Sequence, residues 1–424
     1  MSETHPVLGQ LALGYCPMVG RDGTVVATRL SVFPAAPDAV PDPKALLEAL
    51  QPVWPADQAP SAAAAAAPPR PLERPSGTRE GTVGRAPVVL NIAGEAALEA
   101  MMRAAPGPQV MLEIPAFMAT DPARRDTLRA LRDAGTPLLI KGRPLQTLTP
   151  EVLACFSHSI VDVEDERRTE TPPPAGVRQV TTVQSGVRTS ADADRAFRRG
   201  AVAVLGWTLD DPLPAPSGRQ GVPPDVSAVL DLIAGLERGE PPARLEGVLR
   251  RDPTLAYRLL RYLNSPAFGL SAEITSFGQA LMMLGEQRLK RWLLLMLVNS
   301  ARDRRDGAMT YAAVRRGVLM EELGRALDDE DASGEMFVCG VFSLLDRLLL
   351  QPLEALLAGV PVPERVRLAL EGETGPYHAY LELVRAIENG AVFDIREGTE
   401  RLLLSPAEVN RALLAALAAA RQIG

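Results

Sequence analysis

Cysteine is scarce in this chain. Cys16, Cys155 and Cys339 stand far apart, and no CxxC pair occurs. That excludes a zinc knuckle and a disulfide framework, and it fits a reducing compartment. Histidine is equally sparse: His5, His158 and His378. None adjoins an aspartate and none sits four residues from another, so a His-Asp or HExxH metal centre is absent. Surplus positive charge is also missing. With 45 Lys+Arg against 52 Asp+Glu, the net charge of -7 argues against a nucleic-acid partner, because no excess of cations exists to neutralise phosphates. Long apolar runs are lacking too. "LLLMLV" at 293–298 is far too short to cross a bilayer. The start, "MSETHPVLGQLALGYC", has no basic segment followed by an apolar one. The expectation is a cytoplasmic protein with no membrane insertion. There is no GxSxG and no Walker A loop, so a serine hydrolase or P-loop reading has nothing to rest on.

What is present is organisation. Across 424 residues there is room for two or three domains. Residues 11–34 hold two strand-like stretches around "RDG", which predicts a β-hairpin. Residues 55–87 are rich in Ala, Pro, Gly, Ser and Arg and read as a disordered insertion. From 88, "VVLNIA", "QVMLEIP", "TPLLIKG", "SIVDVE", "VRQVTTV" and "AVAVLGW" read as strands separated by helical segments. Strands alternating with helices predict a parallel sheet. Asp121 and Pro122 mark one helix start. A Pro/Gly-rich stretch then leads to an all-helical remainder. The expected domains are therefore 1–212, a linker at 213–224, and a helical domain over 225–424.

One short stretch poses the functional question. In "LLIKG" (138–142) a buried strand runs into Lys141-Gly142. In a β/α barrel the C-terminal ends of the strands carry the chemistry. An acid–base or metal enzyme wants carboxylates there. Other candidates weaken on inspection. Cys155 and Cys339 sit on apolar helix faces and read as core residues. The pairs Asp210-Asp211 and Asp328-Asp329 have no partner base nearby in sequence.

Two resemblances organise these observations. Residues 253–300, through Leu263-Asn264-Ser265, Phe268-Gly269 and the run Ser276, Ala280, Leu284-Gly285, resemble the HDOD domain. This is a helical, non-catalytic relative of HD phosphohydrolases found in bacterial signalling. The preceding half resembles the EAL domain, the barrel of cyclic-di-GMP phosphodiesterases. The implied fold class is α/β plus all-α: a TIM-like EAL-type barrel followed by an HDOD helical domain. EAL enzymes hydrolyse a phosphodiester with metal-activated water held by acidic residues at strand ends.

The departures from that pattern matter most. The family's naming motif falls on Arg29-Leu30-Ser31, with an arginine at the metal-ligand glutamate. Its Asp-Asp falls on Lys141-Gly142, and its Glu-Gly-Val-Glu loop on Ser185-Gly186-Val187-Arg188. Its Gln-Gly becomes Leu205-Gly206, and its Lys-x-Asp lysine becomes Ile160 with Asp162 retained. Asn91 and Glu113 match family ligands. The resemblance thus implies a barrel that has lost its metal ligands at Arg29, Lys141, Gly142, Ser185, Arg188 and Leu205. It keeps Asn91, Glu113 and Asp162, and it implies no catalytic residue, no metal and no cofactor. Salt bridges from the new cations to Glu113 and Asp162 are expected to fill the old site. The expected function is a non-catalytic signal-transduction protein that acts by protein–protein contact with unidentified signalling partners. The alternatives are a cyclic-di-GMP-binding effector and an active phosphodiesterase.

Overall fold

The computed structural model describes residues 5–36, 38–55, 87–144, 148–167, 180–213, 224–241, 244–245, 281–282, 285–300, 307–327, 330–358, 362–372 and 374–423. All but the two end residues of the expected insertion 55–87, and most of the expected linker, lie outside them. Eight strands close into a barrel in chain order: β1 (Leu11–Gly20), β2 (Val25–Pro34), β3 (Val88–Ile92), β4 (Val110–Pro115), β5 (Leu138–Lys141), β6 (Phe156–Asp162), β7 (Thr181–Ser185) and β8 (Ala203–Leu205). The expected hairpin is β1–β2. At its turn Asp22 accepts hydrogen bonds from the Thr24 amide and hydroxyl. β2 to β8 run parallel, whereas β1 is antiparallel to both its neighbours.

Period-two alternation sends one set of side chains into the barrel. Met18, Ala27, Val89, Met111, Leu139, Ile160, Val183, Ala203 and Leu205 form that inner core. Burying such side chains contributes roughly 1.5–3 kcal/mol each before entropy is counted. The crossover helices Glu95–Ala104 and Arg125–Asp133 bury Leu98, Met101 and Met102, and Leu128 and Leu131, at helical spacing. Asp121 caps the short helical turn Pro122–Arg124 through the Ala123 amide, as the sequence implied.

The chain divides into two compact units: Met1–Asp211 together with Glu382–Gly424, and Pro212–Leu381. The sequence reading keeps 225–424 as one helical domain, whereas Glu382–Gly424 groups here with the barrel. The physical reason is an open sheet edge. β8 has three residues and on its β1 side reaches only Met18–Gly20, which leaves the Leu11–Pro17 edge of β1 without a strand. Unpaired backbone groups at a buried edge are costly. Asn410, 1 % exposed on the last helix (Pro406–Ile423), fills the gap. Its Oδ1 accepts from the Leu13 amide at 3.1 Å, and its Nδ2 donates to Leu8 O at 2.8 Å and Leu11 O at 2.9 Å.

The second unit is helical among its described residues. Helices Glu286–Ser300, Gly307–Gly324 and Glu330–Phe342 bury Leu293, Leu297, Val318, Met336 and Phe342. Arg291 joins two of its neighbours, donating to Glu321 at 2.6 Å and lying 4.8 Å over the Phe337 ring. The run Leu281–Val298, expected to be mostly core, has Leu289, Trp292, Leu293, Leu294, Leu295 and Leu297 buried, while Met282 is exposed. The Leu255, Leu259 and Leu263 face and the pair Asp328-Asp329 lie outside the described residues. No single described helix is long and apolar enough to cross a membrane.

His158 sits inside β6, 2 % exposed, with Nδ1 at 3.0 Å from the Ser157 hydroxyl. Burial pushes its pKa down to about 4, so the ring is held neutral. The unfolded chain takes up a proton near pH 6.5 that the folded chain refuses until about pH 4. Stability therefore falls as pH drops through that window, by up to about 3 kcal/mol from this group. Urea unfolding at pH 7 and pH 4.5 should show this loss, and His158→Gln should remove most of it.

Candidate functional site

The C-terminal ends of the parallel strands gather the residues singled out by sequence. Stepping outward by two from the inner core leads from Ala27 to Arg29 and Ser31, from Val89 to Asn91, and from Met111 to Glu113. The same step leads from Leu139 to Lys141, from Ile160 to Asp162, and from Val183 to Ser185. Ser31 and Asn91 are register partners, as are Asp162 and Ser185. Leu205 is different: it belongs to the apolar core itself.

At the centre lies a two-point ion pair. Arg29 donates from Nε to Glu113 Oε1 at 2.6 Å and from Nη2 to Oε2 at 2.7 Å. The Glu113 side chain is fully buried and that of Arg29 is 18 % exposed. Burial works against the guanidinium charge, yet the Glu113 carboxylate outweighs it and holds the Arg29 pKa above its ordinary value. Planar donors matched to both carboxylate oxygens make this the strongest class of side-chain ion pair. The expected bridge to Glu113 is therefore present.

Lys141 extends the cluster. Its Nζ donates to Asn91 Oδ1 at 3.0 Å, and Asn91 Nδ2 donates to Ser31 Oγ at 3.2 Å. Partial loss of hydration, then the nearby Arg29 cation, push the Lys141 pKa down. Gly142 comes next with φ 82°, a left-handed turn that ends the strand. Cys16, the register partner of Arg29, stays a thiol: burial lifts its pKa to about 12 despite Arg29.

Asp162 corrects an expectation. It was expected to bridge to one of the new cations. Its Oδ2 instead accepts from Ser185 Oγ at 3.1 Å, and its Oδ1 from the Glu164 amide at 2.9 Å. Arg188 points elsewhere: it pairs with Asp210, and the Asp210 amide donates to Arg188 O at 3.0 Å. Asp211 accepts from the Ser190 amide at 2.9 Å. The Asp210-Asp211 pair thus braces the loop after β7. Both partners of the Arg188 pair are about half exposed, so that bridge is worth little, under about 1 kcal/mol.

The donor set decides what this end of the barrel can hold. Among the described residues no group of three or more His, Cys, Asp or Glu is placed for a metal ion. Both Glu113 oxygens are engaged by Arg29, and the Asn91 oxygen is engaged by Lys141. Magnesium wants six oxygens in near-octahedral array, with carboxylates among them. A dication about 4 Å from a guanidinium meets repulsion of several kcal/mol at an effective dielectric of about 20. These residues do not fit a catalytic divalent ion.

The HDOD domain family matches residues 222–354, so the helical unit carries an HDOD domain. The signature residues Leu263-Asn264-Ser265, Phe268-Gly269, Ser276, Ala280 and Leu284 lie outside the described residues. The uncharacterized protein YuxH of Bacillus subtilis is 31 % identical over 164 residues, 38 % of this chain and 40 % of that protein. Cyclic di-GMP phosphodiesterase CdgJ of Vibrio cholerae serotype O1 is 28 % identical over 145 residues, 34 % of each chain. The chain thus spans well under half the length of these curated relatives. Sequence reasoning missed three parts of the arrangement: Ser31 as the support of Asn91, Asp210 as the partner of Arg188, and Asn410 at the β1 edge. A polar residue on an otherwise apolar helix face was the one available signal for Asn410.

Proposed function

We propose that this chain is a two-domain bacterial signal-transduction protein: an EAL-type barrel that has lost catalysis, joined to an HDOD domain, working in the cytoplasm through contact with other signalling proteins. The observation that carries this reading is the Arg29–Glu113 pair. An arginine stands where the EAL resemblance puts a metal-ligand glutamate, and it engages both oxygens of a remaining ligand. Lys141 does the same to the oxygen of Asn91. Cations have replaced a bound dication as the countercharge for this end of the barrel. The HDOD match and a relative named as a cyclic di-GMP phosphodiesterase support placing the chain in signalling.

A second reading, a cyclic-di-GMP-binding effector without hydrolysis, is favoured by one observation: Lys141 is an exposed amine at the strand ends, suited to a phosphate. One experiment weighs both readings. Purified full-length protein is incubated with cyclic di-GMP and Mg²⁺ or Mn²⁺, product is followed by chromatography, and the same samples are put through equilibrium dialysis. The expected result is no turnover above the protein-free blank and no retention at micromolar nucleotide. Metal-dependent hydrolysis overturns the proposal. Retention without hydrolysis, lost on Lys141→Asp, selects the effector reading.

A further inference from the structure

The polar cluster at the strand ends does not use up its donors. Glu113 takes one hydrogen bond from Arg29 Nε and one from Nη2. That leaves Arg29 Nη1, which has no hydrogen-bond partner among the described residues and is not sealed from solvent. An ammonium group has three N–H donors, and Lys141 spends one of them on Asn91 Oδ1. Lys141 is exposed, and a Cβ on the adjoining Gly142 would meet nothing within 4 Å among the described residues. Space and unspent donors thus lie together.

Charge is out of balance at the same place. The charged groups that act on Lys141 are Arg29 and Glu113, so two cations answer to one carboxylate. Asp162 does not redress this, because its oxygens face Ser185 and the Glu164 amide. The Coulomb interaction that repels a dication here attracts an anion. An aromatic ring stands alongside. Pro115 is the register partner of Lys141, and the helix Ala116–Thr120 begins at the next residue. Its Phe117 is 61 % exposed. A free inorganic ion gains nothing from that ring. A polypeptide with an apolar residue beside an acidic one gains from both the ring and the cations.

We propose that Lys141 and Arg29 Nη1 form an oxyanion site whose occupant is the side-chain carboxylate of an aspartate or glutamate on a partner protein, with Phe117 receiving an apolar neighbour of that residue. The carboxylate accepts from both cations and supplies the missing negative charge. This inference rests on the reading of the chain as a contact protein and names the chemistry of the contact. Its test uses no nucleotide and includes EDTA. A failed titration therefore leaves the lack of hydrolysis standing, whereas metal-dependent hydrolysis overturns the wider reading by itself.

The chain has three lysines, Lys44, Lys141 and Lys290, so lysine-selective ¹³C labelling of the full-length protein gives three Cε signals. Lys141→Met identifies the signal of interest. Lys44 is exposed and Lys290 is buried against Glu237, so both serve as controls. The titrants are acetyl-Leu-Asp-Leu-amide, its asparagine counterpart and inorganic phosphate, at ionic strength held constant with chloride. The aspartate peptide should shift the Lys141 signal saturably, with half-saturation at about 1–10 mM, while Lys44 and Lys290 stay still. The asparagine peptide should leave all three signals in place. Phe117→Ser should weaken the aspartate peptide by about threefold or more. The double variant Arg29→Met, Glu113→Leu, which removes Nη1 without stranding a charge, should weaken it by about tenfold. No saturable shift at Lys141 overturns the proposal, as does an equal shift at Lys44 or an equal response to the asparagine peptide. Unchanged affinity in the double variant removes Arg29 from the site and also overturns it. Phosphate binding tighter than the peptide, with no effect of Phe117→Ser, overturns the assignment of a protein carboxylate. If the double variant does not fold, the asparagine peptide and Phe117→Ser still decide.

Discussion

Arg29→Ala should lower the unfolding free energy by about 3–5 kcal/mol, the cost of stranding a buried charge. The argument is local. Glu113 is fully buried and its two oxygens face the two donors of one guanidinium. With the guanidinium gone, the carboxylate keeps its desolvation cost and loses its compensation. The deficit should shrink on acidification, because a proton then neutralises the stranded group. The double variant Arg29→Met, Glu113→Leu should recover to within about 1 kcal/mol of the parent, since replacing both members of a buried pair by apolar groups is often neutral or stabilising. Urea denaturation of the parent, both single variants and the double variant closes the cycle. A loss under about 1 kcal/mol for Arg29→Ala would mean that Lys141 or water serves Glu113 equally well. The pair would then not be what fills this end of the barrel.

Much of the barrel was legible in the chain. Short Val/Leu/Ile-rich strands at regular intervals imply parallel β/α units, and counting by twos from apolar core positions puts Arg29, Asn91, Glu113, Lys141, Asp162 and Ser185 on one face at one end. That is a consequence of the pleat alone. The Arg29–Glu113 bridge was legible for the same reason: opposite charges on inward positions of a closed barrel have nowhere else to go.

The partner of Arg188 was not legible: a bridge to Asp162 was expected, and Arg188 pairs with Asp210 instead. Arg188 lies beyond the end of β7, past Gly186 with its positive φ, where alternation no longer governs direction. Which carboxylate such a loop meets depends on where the chain returns after β8, and it returns at Asp210. The limits of the helical domain were hidden for a related reason. Apolar spacing of 3.6 residues marks a buried helix face but not the body that buries it. The helix Pro406–Ile423 reads the same whether it covers other helices or the open edge of a barrel.

That open edge gives the second large effect. Asn410→Leu should destabilise the barrel unit by about 2–5 kcal/mol, because three backbone groups lose their partner where water is excluded. Leucine keeps the branched shape but is larger, so part of its cost is overpacking and the aspartate variant is needed to isolate the hydrogen bonds. Asn410 Oδ1 serves Leu13 N–H and its Nδ2 serves two carbonyls, Leu8 O and Leu11 O. Asn410→Asp is the sharper comparison. It keeps the acceptor for Leu13 but turns the amide donor into a second acceptor facing those two carbonyls. It should cost at least as much as leucine near neutral pH and recover partly on acidification, when the carboxyl can donate again. Urea denaturation at pH 7 and pH 4.5, with hydrogen exchange read at Leu13, measures both variants, and the shared His158 contribution cancels in the differences between them. If Asn410→Leu unfolds like the parent and Leu13 keeps its protection, then the edge of β1 is sealed by something other than the last helix. The assignment of Glu382–Gly424 to the barrel would then lose its physical basis.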